Sequence, residues 1–157
     1  MRVHLFSCLN DNYGVLIHDP LSGATAAIDA PEAGPILEAL EATGWRLSHI
    51  LITHSHHDHI GGIAQLKAAF SPVVVAPEKA RALIPDADRY VGEGDTVAVG
   101  SMTGAVLDLP GHCRDHVGYY FAQQRSVFVG DVLFALGCGR VFDGDYAAMW
   151  ASLKKLM

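Results

Sequence analysis

Cysteine is scarce in this sequence, and the three that occur are scattered at Cys8, Cys113 and Cys138. An odd, widely spaced set does not provide the disulfide framework that stabilises small secreted domains. The opening residues, MRVHLFSCLNDNYG, contain no sustained apolar stretch of the kind found in signal peptides. We therefore expect a protein of a reducing compartment, the cytoplasm.

Long apolar runs and an excess of positive charge are also missing. No run approaches the roughly 18–20 apolar residues that a membrane span requires, so we expect no membrane association. Lysine and arginine total 11 against 17 aspartates and glutamates, giving a formal charge of −6. Nucleic-acid binding normally needs a basic stripe, and none is visible. We expect a small-molecule ligand. If that ligand is anionic, individual lysine or arginine residues at its site must balance its charge, because the protein as a whole is acidic.

What the sequence does contain is enough apolar residues for a core. Half of its 157 residues are hydrophobic and the mean hydropathy is +0.23. We expect one domain over residues 1–157, a monomer of the α/β class with mixed sheets. The predicted strands are RVHLF, YGVLIHD, ATAAID, SHILIT, PVVVAP, DTVAVG, GAVLDLP, VGYYFAQ and SVFVGD. The predicted helices are PILEALEAT, GGIAQLKAAF and DYAAMWASLKKLM.

The last of these helices carries an apolar stripe, because Met149, Leu153 and Leu156 recur at helical spacing. No glycine or other C-cap signal follows it. One interpretation is a helix that packs on the sheet and ends the fold. The other is a chain cut short, in which case we expect one of these three side chains to face solvent or a neighbouring molecule.

The segment THSHHDHIGG concentrates imidazole and carboxylate groups within a few positions. His54 follows the predicted strand SHILIT, and His56 faces the same way because side chains two apart on extended backbone point together. Asp58 and His59 lie just before the next helix and can turn toward a second point. His57 interrupts the pattern and is expected to point away.

Two further residues of the same chemistry follow other predicted strands. His112 lies in the loop after GAVLDLP. Asp131 is the last residue of SVFVGD and follows its apolar part. Strand ends at one edge of a sheet are where α/β proteins build sites. Neutral imidazole and carboxylate are ligands for zinc, iron or manganese, so we predict that these residues converge on a metal site. His116 is a candidate for a supporting role beside the ligands.

These residues resemble the metallo-β-lactamase superfamily, whose H-x-H-x-D-H signature corresponds to His54, His56, Asp58 and His59. Finer similarity points to glyoxalase II, the hydroxyacylglutathione hydrolases. The segments that carry it are LNDNYGVLI, LPGHCRDHVGYY and VFVGDVLFALGCGRVFDG. The resemblance implies an αββα sandwich with mixed sheets that is incomplete at its C-terminus.

By this resemblance, the chain would hold two divalent metal ions, zinc with iron or manganese as alternatives. His54, His56 and His112 would bind one ion, Asp58 and His59 the other, and Asp131 would bridge both. Asp29 resembles an aspartate that supports the superfamily's ligands. Substrate contacts would come from Arg140 and Phe142.

The chain departs from the family pattern after Asp131, because no histidine follows it. The family has a further metal histidine there, and then a helical region that contacts glutathione. We therefore expect a truncated or naturally short form, whose second metal is held less tightly. The ligands Asp58, His59 and Asp131 alone would leave part of its coordination sphere to water.

The implied reaction is hydrolysis of an S-(2-hydroxyacyl)glutathione, in particular S-D-lactoylglutathione, to glutathione and D-lactate, a step of methylglyoxal detoxification. A hydroxide between the two ions would attack the thioester. Asp58 and Asp131 would offset the metal charge, and Asp58 would orient the nucleophile. The alternatives are a mono-iron persulfide dioxygenase and a catalytically impaired metal-binding domain. The dioxygenases have Thr-Asp-Phe after Gly-Cys-Gly-Arg, where this chain has Val141, Phe142 and Asp143, which favours the hydrolase.

Overall fold

Ten strands form two sheets in the computed structural model, which describes residues 1–157. The first sheet contains β1 (Arg2–Cys8), β2 (Asn12–His18), β3 (Ala24–Ile28), β4 (Arg46–Leu51), β5 (Val73–Pro77) and β6 (Arg89–Val91), in that spatial order. The second has the order β10-β9-β8-β7, formed by β7 (Thr96–Val99), β8 (Met102–Asp108), β9 (Val117–Phe121) and β10 (Ser126–Phe128). The helices are α1 (Ala33–Thr43), α2 (His57–Ile60), α3 (Ile63–Phe70) and α4 (Tyr146–Leu156).

The first sheet is mixed, as predicted, with parallel pairing from β3 to β6 and antiparallel pairing from β1 to β3. The second sheet is antiparallel throughout, and its β7–β8 pair is the predicted hairpin. The reason lies in the connections. β7 to β10 follow one another through short turns and loops, whereas parallel neighbours need a longer crossover.

Two apolar cores lie on either side of the six-stranded sheet. Ile50 of β4 packs with helices α1 and α3 in one core, and Leu51 packs against the second sheet in the other. Successive side chains of a strand point to opposite faces, so a strand buried on both faces must be apolar throughout. The apolar run of residues 50–52 within SHILIT satisfies that requirement, and Ser48 and His49 before it are only partly buried. The layers are thus helix, sheet, sheet and helix, with α4 as the fourth layer.

Helix α4 packs on the protein more closely than predicted. Met149 is buried with Leu109 and Val132, and Leu153 and Leu156 lie partly buried against the same cluster. The expectation of exposure thus fails for Met149, while Leu153 and Leu156 stay partly exposed. Asp145 caps the start of the helix, since its carboxylate accepts a hydrogen bond from the Ala148 amide. The exposed face of the helix carries Tyr146 and Trp150.

Three elements were not predicted or begin elsewhere. Strand β6 is only three residues long, Arg-Tyr-Val, which is too short to show an alternating apolar pattern. Helix α2 is a single turn within the histidine segment. Helix α1 begins at Ala33, two residues before Pro35, because proline fits the first turn of a helix. No helix has the length and apolar character needed to cross a bilayer.

Asp19 connects the two sheets. It follows β2, and its carboxylate accepts hydrogen bonds from the Ser101 amide at 2.7 Å and the Ser101 hydroxyl at 2.8 Å, in the turn between β7 and β8. The Ser22 hydroxyl donates to it at 2.6 Å. These hydrogen bonds, of which the one from Ser22 has the largest effect, hold the pKa of Asp19 well below its usual range.

Asp19→Asn should therefore destabilise the protein, because an amide cannot accept at both positions. A lowered folded-state pKa stabilises the fold above the unfolded-state pKa of about 3.9, and this contribution is lost as the pH falls further. Urea unfolding should show the largest difference between wild type and variant above about pH 5 and a shrinking difference below about pH 4. Asp86→Asn, at an exposed carboxylate without a hydrogen bond, is the control. A difference independent of pH would contradict this assignment.

Candidate metal centre

Four segments of the chain meet at one edge of the two sheets. Asp29 follows β3, the segment 53–59 follows β4, His112 lies between β8 and β9, and Asp131 follows β10. Strand ends therefore deliver residues from both sheets to one point, as the sequence predicted. The prediction that the loops after these strands converge is confirmed by the close approach of ligand atoms from His54, His56 and His112.

The first group consists of these three histidines. His56 Nδ1 lies 3.1 Å from His54 Nε2 and 2.9 Å from His112 Nε2. The Nδ1 of His112 donates to the Arg140 carbonyl at 2.7 Å, which leaves its Nε2 as an acceptor. A single ring proton on His56 can serve only one of the two contacts, whereas a cation between the three nitrogens satisfies all of them. The group fits a divalent metal ion.

The second group surrounds His59. Its buried Nε2 has no hydrogen-bond partner and lies 3.4 Å from a carboxylate oxygen of Asp58 and 3.4 Å from one of Asp131. Burial alone would lower the pKa of His59, but Asp29, Asp131 and Asp58 outweigh it and raise that pKa to about 9. Positive charge is thus favoured at this point. A bound cation would supply it without a proton.

The two groups share members. The ligand atoms of His54, His59 and Asp131 also lie within 4.8 Å of one another. His54 is fully buried, and burial together with the neighbouring histidines lowers its pKa strongly. It is therefore neutral, the state in which imidazole binds metals. Asp58 lies at the open side, with its side chain 48% exposed.

Asp29 supports the cluster from behind. One carboxylate oxygen accepts from the Thr53 amide at 2.6 Å, and the other accepts from the Thr53 hydroxyl at 2.8 Å and from His59 Nδ1 at 2.9 Å. The backbone of Asp29 has φ of +61°, which aspartate tolerates better than most residues. This is the arrangement in which a carboxylate orients a metal-binding imidazole.

His116 lies behind Asp131. Its Nε2 accepts a hydrogen bond from the Asp131 amide at 3.1 Å, so it touches the backbone of a candidate ligand rather than the site itself. Burial, and then the neighbouring His112, lower the pKa of His116 to about 3. A neutral ring is required for this acceptor role. The position agrees with the predicted supporting role.

Three contacts of the site were missed in the sequence. Asn12 donates to the Asp58 carboxylate at 3.0 Å, Asp115 accepts from the Ser55 amide at 3.1 Å, and Thr53 contacts Asp29. Asn12 lies in the segment LNDNYGVLI, which was noted only for its similarity to the hydroxyacylglutathione hydrolases and not for a contact with Asp58. The other two carry no signal, because a threonine at a strand end or an aspartate in a loop is common in any fold.

A pocket of about 1010 Å³ opens over the cluster. Arg140 is the only lysine or arginine among its lining residues, and Phe142 lies in the same wall. The Phe142 ring packs against His56 and His112, with 5.2 Å between ring centroids in both pairs, and the Arg140 guanidinium lies 5.5 Å from the ring centre. Both residues are exposed. The predicted substrate-contact residues thus border the predicted metal ligands.

The sequence pattern of the metallo-beta-lactamase superfamily matches residues 9–157. The chain therefore belongs to this superfamily, and this membership agrees with a divalent-metal site at the histidine and aspartate cluster. The chain is 57% identical to Hydroxyacylglutathione hydrolase of Rhodopseudomonas palustris (strain HaA2) over 154 residues. The match covers 98% of this chain and 60% of that relative, so the chain spans about three fifths of the relative's length.

Two solved structures support the fold. ETHE1 from Myxococcus xanthus superimposes with a TM-score of 0.87 and 29% identity, covering 100% of this chain and 70% of the other. TTHA1623, solved in a di-iron-bound form, superimposes with a TM-score of 0.79 and 30% identity, covering 99% and 85%. The predicted αββα sandwich is confirmed by these neighbours and by the layers described above.

Proposed function

We propose that residues 1–157 form the catalytic domain of a metal-dependent hydrolase that cleaves S-(2-hydroxyacyl)glutathione thioesters, in particular S-D-lactoylglutathione. The observation that carries this proposal is the assembly of both histidine and aspartate groups at one pocket, in a chain 57% identical to a Hydroxyacylglutathione hydrolase. The three free cysteines support a reducing compartment, and we propose the cytoplasm.

The proposed cofactor is a pair of divalent ions, the second held less tightly because no histidine follows Asp131 to complete its site. His54, His56 and His112 would hold one, Asp58 and His59 the other, with Asp131 shared between them. Zinc is our first choice because this mixed set of nitrogen and oxygen ligands suits it, and iron or manganese would also be accepted. The di-iron form of TTHA1623 supports a two-metal site in this fold. When bound, such a pair supplies a water of lowered pKa and positive charge for the thioester carbonyl oxygen.

The protein's own residues set the surroundings of that chemistry. Asp58 and Asp131 bring negative charge that offsets the cations, and Asn12 fixes the Asp58 carboxylate by its hydrogen bond. Phe142 packs its ring against those of His56 and His112 and so restricts their movement. A thiolate is a stable leaving group, so the reaction needs no proton donor at the sulfur atom.

Arg140 is our candidate contact for the anionic glutathione moiety, since it is the only strong cation of the pocket wall. Arg140→Ala should raise KM more than it lowers kcat, because a contact remote from the carbonyl stabilises ground and transition states alike. Steady-state kinetics with S-D-lactoylglutathione measure this. Lys154→Ala removes the same charge from an exposed position of α4 and should change neither constant. An unchanged KM in the Arg140 variant would contradict the contact.

The test of the function uses the purified chain loaded with zinc, iron or manganese. Metal content is measured first, and then the release of thiol from S-D-lactoylglutathione. His112→Asn should lose metal and activity, whereas His57→Asn, at an exposed histidine of the same segment, should keep both. Oxygen consumption with glutathione persulfide would favour the dioxygenase alternative instead. Metal-loaded protein without turnover of either substrate would indicate a metal-binding domain and overturn the proposal.

A further inference from the structure

Thr53 occupies a position that connects the two ligand groups. It is fully buried, two residues after the end of β4 and next to His54 in the chain. Its hydroxyl lies 2.8 Å from a carboxylate oxygen of Asp29 and 3.0 Å from Nδ1 of His54. The same Asp29 oxygen lies 2.9 Å from Nδ1 of His59. One carboxylate oxygen thus contacts His59 directly and His54 through a single hydroxyl.

The direction of these hydrogen bonds follows from the number of protons. An ionised carboxylate only accepts, so the single hydroxyl proton of Thr53 is donated to Asp29. The contact with His54 then uses an oxygen lone pair, and Nδ1 of His54 must carry the proton. The remaining ring nitrogen of His54, Nε2, lies 3.1 Å from His56 Nδ1 and faces the first ligand group, so it is the atom available to a metal.

We propose that Thr53 is a positioning residue that fixes the tautomer and ring orientation of His54, so that Asp29 orients one metal ligand in each group. The inference deepens the proposed metal site and rests on it, but it does not depend on which thioester is cleaved. Gly130 packs closely against this hydroxyl, since a Cβ built on that glycine would lie only 2.6 Å from it. The Thr53 hydroxyl makes no hydrogen bond besides those to Asp29 and His54, so it connects these two residues and no others.

Two matched variants separate this role from packing. Thr53→Val keeps the shape and the amide hydrogen bond to Asp29 but removes the hydroxyl. Thr53→Ser keeps the hydroxyl. We expect zinc affinity, measured by competition with a chromophoric chelator, to fall about 10–100-fold in Thr53→Val and to stay within a few-fold of wild type in Thr53→Ser. Cobalt loading gives a second measurement, since the visible spectrum reports the ligand geometry and should change only in the valine variant.

A measurement on the wild type keeps the proposal testable even if the valine variant does not fold. Nitrogen-15 NMR of the zinc-loaded protein should find a slowly exchanging proton on Nδ1 of His54. A His54 protonated at Nε2 would overturn the proposal, as would equal zinc affinity of Thr53→Val and wild type, or equal losses in the valine and serine variants. Failure of the wild type to bind zinc, iron or manganese would instead overturn the metal site on which the inference rests.

Discussion

Asp29→Ala should lower the free energy of unfolding by about 3–5 kcal/mol, because it leaves a buried histidine and a buried hydroxyl without their acceptor. His59 and Asp29 expose only 8% of each side chain, so little solvent replaces the lost bonds. Alanine also fits poorly at a backbone φ of +61°. Metal affinity should fall about 10–100-fold in both ligand groups, since both depend on the same carboxylate.

Urea unfolding of the metal-free protein and zinc titration measure these two effects separately. Asp86→Ala is the control, because the Asp86 carboxylate is exposed and makes no hydrogen bond. Asp29→Asn adds a useful comparison, since asparagine tolerates a positive φ and so isolates the hydrogen bonds from the backbone strain. If Asp29→Ala bound metal as tightly as wild type, the carboxylate would have no part in orienting either histidine.

Gly139→Ala should reduce both metal binding and hydrolysis, by about 10–100-fold each. A Cβ at this buried position would collide with the Asp131 carbonyl and would lie 3.0 Å from His112 Nδ1. The loop would have to move away, and with it the Arg140 carbonyl that accepts the proton of His112 Nδ1. Two candidate ligands would thus be disturbed by one methyl group.

The neighbouring loop supplies the control. A Cβ built on Gly137 meets no atom within 4 Å, so Gly137→Ala should bind zinc and turn over substrate as the wild type does. Both variants should be compared by zinc titration and by thiol release. Normal zinc affinity in Gly139→Ala would mean that the loop adapts to the methyl group, and that the Arg140 carbonyl is not needed to hold His112.

The layers of the fold follow from sequence patterns that are easy to recognise. Ile50 and Leu51 of β4 are apolar because the strand is buried on both faces there, and residues 74–76 of β5 are apolar for the same reason. DTVAVG and GAVLDLP pair as the predicted hairpin of β7 and β8. Helix α4 shows the limit of such reasoning. Its apolar stripe predicts a partner, but the partner is a cluster around Leu109 and Val132 that only the folded chain assembles.

The candidate ligands were predictable because their residue types are unusual and their positions follow strands. Of the residues that hold the ligands in place, only Asp29 and His116 were predicted, Asp29 through the family resemblance. His112 is fixed by the carbonyl of Arg140, and a backbone group leaves no trace in the sequence. Thr53 and Asp115 act through hydrogen bonds to partners that lie far away along the chain, and their residue types occur equally often without such partners.

The division of the ligands between two sheets has a consequence for the order in which the protein folds. His54 and His59 follow strand β4 of the first sheet, while His112 and Asp131 follow strands β8 and β10 of the second. Neither ligand group can be complete until the two sheets have docked. We therefore expect the ligand groups to form after the folding transition state. Interactions that form after that state slow unfolding without accelerating folding, so bound metal should act mainly by lengthening the lifetime of the native protein.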